Sequence, residues 1–160
     1  MVHHYPESFK IGREQVRQYA RAIKADDPAS FDEGAAAELG HGNIIASLTF
    51  PSILALLVQK DFFQKVDVGL TTMQIVQVDQ KFVFHRPLVV GETLTASLEI
   101  QSVVERFGAD IVVTRSVCIN EADEMVLEAF TTLMGHEGDN SIQVQWDAES
   151  GQVVRTAAKD

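Results

Sequence analysis

The chain has 160 residues, 46% apolar and 22% charged, which is enough apolar surface for one folded domain and too much for disorder. Thirteen Lys plus Arg stand against 23 Asp plus Glu, and the resulting net charge of -10 argues against binding a nucleic-acid backbone or an anionic membrane surface. A single cysteine, Cys118, excludes an intrachain disulfide framework and a Cys-based zinc site, and agrees with a reducing, cytoplasmic setting.

The first residues, Met1 to Pro6, carry neither a basic n-region nor an apolar h-region, so no signal peptide is expected. Val16, Tyr19, Ala20 and Ile23 recur at helical spacing and predict an amphipathic helix over 13–24. Asp26-Asp27-Pro28 should stop it, because proline disfavours helix in the residue before it. Asp32 can cap a short second helix through Leu39, with Gly40 at its end. His41-Gly42-Asn43 reads as a loop. A third helix should begin near Pro51 and run to about Phe63. The apolar run 44–58 is shorter than the roughly 20 residues a bilayer span needs. Ile53, Leu54, Ala55, Leu56, Leu57, Val58, Phe62 and Phe63 make that helix apolar nearly all round, which predicts burial on every side.

The remainder supplies a wrapper. Val76, Val78, Phe82 and Phe84 alternate with polar neighbours, interrupted at Gln80. Leu94, Ala96, Leu98, Ile100 and Val104 alternate over a long run, as do Ile111, Val113, Val117 and Ile119. Val126, Ala129 and Met134 follow more loosely. Period two predicts long strands. The breaks at Arg86-Pro87, Gly91-Glu92, 107–110 and 120–123 are turn-like and short, so neighbouring strands should be antiparallel. The fold class is α+β, with an antiparallel sheet curled on one apolar helix. The expected layout is one domain over 1–137 and a C-terminal segment, 138–160, that is either a small hairpin around Ser150-Gly151 or a loosely held tail.

Few residues suggest chemistry. No phosphate loop, Ser-His-Asp signature or metal-binding helix is present, so no cofactor or metal is expected. His3 and His4 read as a solvated terminus, and His85 and His136 as strand-end residues. Lys60 and Asp61 should emerge at the far end of the third helix, in solvent or paired. The informative stretch is Lys24-Ala25-Asp26-Asp27-Pro28-Ala29-Ser30-Phe31, between the first and third helices.

Longer segments carry a resemblance: Tyr5-Pro6 with FKIGREQVRQYARA (9–22), AAAELG (35–40), Leu48-Thr49-Phe50, Asp61-Phe62-Phe63, MQIVQVDQKFVFHRP (73–87), ERFGADIVVTR (105–115) and TTLMG (131–135). On these the chain resembles the FAS1-type, MaoC-like dehydratase family, and within it the HadC-like (also HadA-like) accessory subunits of the mycobacterial (3R)-hydroxyacyl-ACP dehydratase. The resemblance implies a hot-dog fold. It also implies a loop of the form Asp-x-Asn-Pro-x-His, whose carboxylate and imidazole act as a general acid/base pair while N–H groups at the main helix start hold the thioester oxygen. Here Pro28 and Asp27 take the Pro and Asn positions, and the pair falls on Ala25 and Ser30, neither of which transfers protons at neutral pH. One departure is Ala46-Ser47, where relatives are expected to carry Ile-Ala-Pro.

The resemblance therefore implies a subunit without its own catalytic residues, in type II fatty-acid (mycolic acid) elongation. A second hot-dog subunit would supply Asp and His, and an acyl carrier protein would deliver long chains. The apolar wall for such a chain would be Phe50, Ile53, Leu54, Leu57, Val58 and Phe62, faced by Phe82 and Phe84. Strands 93–104 and 111–119 are candidate seams between subunits, and Lys81/Arg86 or Arg106/Arg115 are candidate basic spots for the carrier. Two alternatives stay open. One is a self-sufficient homodimeric hydratase or thioesterase using Asp26 or Asp27 with His41 or His85. The other is an acyl-binding scaffold without a fixed catalytic partner.

Overall fold

A computed structural model describes residues 2–66, 73–106, 108–137, 142–147 and 152–157. Two short strands open the chain, β1 (Val2–His4) and β2 (Phe9–Lys10). Helix α1 (Arg13–Ala22) buries Val16 and Ala20. It closes at Lys24, whose φ is 56°: the Lys24 N–H returns to the Arg21 carbonyl and the Ala25 N–H to the Ala20 carbonyl, at 3.0 and 2.8 Å. A 3₁₀ turn (Pro28–Ser30) follows, then α2 (Glu33–Glu38), capped by Asp32 through the Ala35 N–H. Gly40, at φ 85°, ends α2 in the same manner.

Helix α3 (Ser52–Lys65) buries Leu54, Ala55, Val58, Gln59 and Phe62, one continuous face. Its other face is open: Leu56 is 65% and Leu57 38% exposed. The expectation of a helix buried on every side is therefore overturned. The sheet reaches only one side of α3, and apolar composition alone does not reveal how many sides are covered.

The strands are β3 (Met73–Phe84), β4 (Thr93–Arg106), β5 (Ala109–Ile119) and β6 (Met125–Glu137). They form one antiparallel sheet in the order β1-β4-β5-β6-β3, with β2 also paired to β4. The antiparallel sheet against one helix expected from the pattern, and the hot-dog arrangement that the resemblance implies, are what is found, with the sheet left open. The N-terminal strands carry too few residues for a periodic signal, so the sequence does not disclose them.

The register corrects two further expectations. On β5 the residues facing the core are Val112, Thr114, Ser116 and Cys118, all buried, while Ile111, Val113, Val117 and Ile119 occupy the opposite face. The more apolar set thus points away from α3, and the inner row is made of smaller side chains. On β4 a register shift between Ile100 and Ser102 puts Val103 opposite the buried Val112, and turns Val104 to the other side. Gln80, the break in the β3 alternation, lies opposite Thr131, whose hydroxyl donates to Oε1 at 3.0 Å, while Nε2 donates to the Phe130 carbonyl. The inward polar residue is thereby satisfied.

Neither expected seam is an open strand along its length. β5 lies between β4 and β6, and β1 and β2 cover the first half of β4. Among the described residues the free edge is β3, which pairs with β6 alone. At 14 residues, β4 extends about 46 Å against about 21 Å for α3. The sheet outruns its helix, and Ile75, Val76, Val78, Val103 and Val104 are exposed on the overhang. Segments β7 (Ile142–Asp147) and β8 (Gln152–Ala157) pair with one another as a two-stranded antiparallel sheet.

The core joins α1, α3 and the inner sheet face through Val16, Phe50, Leu54, Val58, Phe62, Leu94, Leu98 and Leu127. Cys118 sits in it, and burial pushes its thiol pKa up to about 12. Native protein is expected to leave a thiol reagent such as DTNB unreacted over minutes at pH 8, and to react fully once unfolded in urea. Rapid labelling under native conditions would contradict this packing.

Candidate functional site

The loop after α1 is fixed from three directions. The Asp27 carboxylate accepts the Ala29 N–H at 3.0 Å and starts the 3₁₀ turn. The Ile45 N–H donates to the Ala29 carbonyl, and the Ser30 hydroxyl donates to the Ile45 carbonyl at 3.0 Å. On its other side the 44–46 segment bonds to 88–90, through Ala46 N–H to the Leu88 carbonyl and Val90 N–H to the Ile44 carbonyl. The turn, the 44–46 segment and the stretch after β3 thus form one stitched unit.

Between them lies a cavity of about 360 Å³. Ile23, Ala25, Asp26, Asp27 and Ser30 form one wall. Ile45 to Thr49 form the second, and Phe84 and Pro87 the third. Both positions that the family pattern assigns to the acid/base pair, Ala25 and Ser30, line it. Neither carries a proton-transfer group. Ser30 is 2% exposed, and its hydroxyl is already engaged with the backbone. Asp26 is exposed at the mouth, and Asp27 is held by its cap. Among the described residues no histidine lines the cavity. His85 instead meets Glu128 at 3.0 Å, and His41 lies beyond α2.

Among the residues expected to wall an acyl chain, Phe50, Leu54, Val58 and Phe62 are in the closed core. Ile53, Phe82 and Phe84 are half-buried and pack against it, whereas Leu57 lies on the open face of α3. Phe84 alone of the eight also lines the cavity, and because it sits on β3 the cavity reaches the free edge of the sheet. Sequence reading missed Ala46, Leu48 and Thr49 as cavity residues. The Ala46-Ser47 departure from the family pattern was the one signal there.

Charge on the sheet is paired. Arg115 bonds Glu128 through Nε and Nη2 (2.9 and 2.7 Å) and Glu99 through Nη1 (3.0 Å), and Glu128 also meets His85. Arg86 is paired with Glu92 at 2.6 Å. Of the basic residues proposed from the sequence as carrier contacts, Arg86 and Arg115 are therefore already matched by carboxylates, Lys81 lies over the Phe130 ring, and Arg106 is exposed at the end of β4. His3 is not a solvated tail: its Nε2 meets Asp61 Oδ2 at 2.7 Å and its ring packs edge-on to Phe62, tying β1 to α3. Among the described residues no cluster of His, Cys, Asp and Glu is placed to hold a metal, and no helix is long and apolar enough to cross a membrane.

Arg115, then His85, holds the Glu128 carboxyl below its usual range. A depressed carboxyl contributes stability above its unfolded pKa and loses it as pH falls through the folded value. Urea midpoints should thus fall on acidification below pH 4.5, and Glu128→Gln should flatten that decline. An unchanged pH profile in the variant would place the acid sensitivity elsewhere.

Comparison with known proteins agrees with this geometry. The profile of the FAS1-like, dehydratase domain region matches residues 2–129. A UPF0336 protein of Mycobacterium tuberculosis is 60% identical over 157 residues, 98% of this chain and 95% of the relative. A chain of the C-terminally truncated HadBC (3R-hydroxyacyl-ACP dehydratase) complex from Mycobacterium tuberculosis is 58% identical, with a TM-score of 0.79 over 84% of this chain and 95% of that one. A MaoC-like dehydratase, 26% identical with a TM-score of 0.79, matches 99% of this chain but only 50% of its own length.

Proposed function

The chain belongs to the FAS1-like dehydratase family, and from that premise we propose that it is the accessory, acyl-binding subunit of a heterodimeric (3R)-hydroxyacyl-ACP dehydratase. The reaction removes water from (3R)-hydroxyacyl-ACP to give trans-2-enoyl-ACP, in cytoplasmic type II elongation of mycolic-acid precursors. One observation supports the reading: Ala25 and Ser30, which the resemblance puts at the two proton-transfer positions, both line the cavity and offer no proton-transfer group. Loss of α-hydrogen and hydroxyl needs a base and an acid within hydrogen-bond reach of the substrate carbons. A methyl group and an engaged hydroxyl provide neither, so the pair belongs to the partner subunit.

Three features support a second hot-dog subunit. β3 is a twelve-residue edge with one neighbour. Exposed apolar side chains flank it, and a long bare edge is a surface that proteins cover. This chain also matches half of a longer MaoC-like dehydratase, which leaves room there for a second unit of similar size. The HadBC complex supplies a precedent in its name for two different subunits. Ile53, Phe82 and Phe84 would then face an acyl chain beside the seam, backed by Phe50, Leu54, Val58 and Phe62, while Leu57 would lie apart on the open helix face. Each buried methylene of the chain contributes about 0.8 kcal/mol. With a net charge of -10 on this chain, and Arg86 and Arg115 paired with carboxylates, an acidic acyl carrier docks mainly on the partner.

Hydration of a long trans-2-enoyl thioester tests this with three preparations: this chain, a family member with Asp and His at the positions of Ala25 and Ser30, and both co-expressed. This chain alone should stay at background. The joint preparation should exceed it at least 100-fold and favour longer chains than the partner alone, since acid/base catalysis contributes about 10²–10⁴. Turnover by this chain alone would overturn the assignment and direct mutagenesis to Asp26 and Asp27.

A further inference from the structure

The outer edge of β4 is covered piecemeal. β2 pairs at Thr93 and Leu94, and β1 at Ser97 to Glu99. From Gln101 to Arg106 no described strand takes that side, and every residue of this stretch is exposed. The register shift between Ile100 and Ser102 marks where the cover stops. This half of the edge invites pairing: it is extended, it contains Val103 and Val104, and it carries neither lysine nor proline. The segment β7–β8 presents the converse problem. Its two strands form a sheet of their own, and a two-stranded hairpin alone is at best marginally stable in water. It needs a third strand.

The chain path brings the two together. β6 is antiparallel to β5, and β5 to β4, so β6 and β4 run toward the same end of the sheet. Gly135, Asp110 and Glu105 lie in register there. β6 ends at Glu137 and β7 begins at Ile142. A strand added beside β4 stands three strand spacings from β6, about 14 Å. The chain from 137 to 142 spans up to about 17 Å when extended, so it just reaches. Turning back over this connection, β7 runs antiparallel to β4, and its 6 residues match the length of 101–106. Beside β3 the same turn would give a parallel pair, which is less stable per residue.

We propose that β7–β8 is a strap that closes on residues 101–106, with β7 adding antiparallel to the open half of the β4 edge. In the structure the two sheets share no ladder, which is the open form. Closed, the strap leaves β3 as the edge through which a second subunit pairs, and it stops sheets from adding end to end. The device acts within this chain, so its test stands apart from the accessory-subunit reading.

Amide hydrogen exchange on the full chain, resolved by residue, reads the closed form. The 101–106 amides that point away from β5 should exchange at least about tenfold more slowly in wild type than in Val144→Pro, whose proline removes a donor and breaks β7. Val154→Pro repeats the test from β8. Amides of β5 and β6 should be alike in all three proteins, which shows that the variants keep their fold. Protection in wild type should not depend on protein concentration. Equal exchange in wild type and variants would overturn the strap. Protection lost on dilution would overturn it too, and give the edge to a second copy. In sedimentation, Val144→Pro should form larger species than wild type does, and equal sizes would overturn the guarding role.

Discussion

Phe62→Ala is expected to lower folding free energy by about 3–5 kcal/mol, the range for deleting a large aromatic side chain from a closed core. Phe62 is wholly buried on α3, and its ring packs edge-on to Phe63 at 5.1 Å and to His3 at 5.4 Å between centroids. Removing it leaves a void at the joint of helix, core and N-terminal strand. His3 would also lose the ring that positions it against Asp61. The melting temperature should drop on the order of 10 °C for a chain of this size. A Phe62→Leu variant, which keeps most of the volume, should recover more than half of the loss. If Phe62→Ala unfolded within 1 kcal/mol of wild type, the core described here would be wrong.

The second large effect concerns assembly. Val78→Lys should weaken binding to the catalytic subunit by at least 100-fold while leaving the isolated chain's stability within about 0.5 kcal/mol. Val78 is 49% exposed on the free edge strand, at the register shift between Gln77 and Asp79. A lysine on an edge strand would have to shed its hydration to admit a neighbouring strand, which is how proteins keep edges single. Thr95→Lys, exposed on β4 beside β1, is the matched control and should assemble normally. Sedimentation of the mixed subunits reads both. Normal assembly of Val78→Lys would move the seam away from β3, to the uncovered half of β4.

Architecture was legible in the sequence wherever one periodicity ran long enough. The four long strands, the three helices and the wrap of sheet on helix follow from period-two runs and from 3.6-residue spacing. Facing was less legible. Ile111, Val113, Val117 and Ile119 look like a core row but lie outside it, because β5 satisfies the inner face with smaller residues such as Thr114 and Ser116. The strand's more apolar row is the outer one, so its hydropathy asymmetry points to the wrong face. Pairing order was not legible either. It depends on which long strand lacks a neighbour, and β1, β2 and the shift at Ile100 decide that from segments too short for a pattern. At the site, the family resemblance, whose proline falls on Pro28, pointed to Ala25 and Ser30, and both line the cavity. The 45–49 wall was not, since backbone bonds to residues 29 and 88 bring it there.

The bond from Ser30 to the Ile45 carbonyl has a meaning for descent. An ancestral reaction centre must keep a side chain there unfastened and ready to exchange protons. Under the proposed accessory role that duty falls to the partner subunit, and a serine that fastens the turn suits a site released from it. The change is hard to reverse by single steps. Histidine at 30 would cut the fastening and press a larger ring into a site with almost no opening, while an isolated aspartate at 25 would have no partner to work with. Under the proposed role, neither single substitution is therefore expected to give this chain turnover of its own.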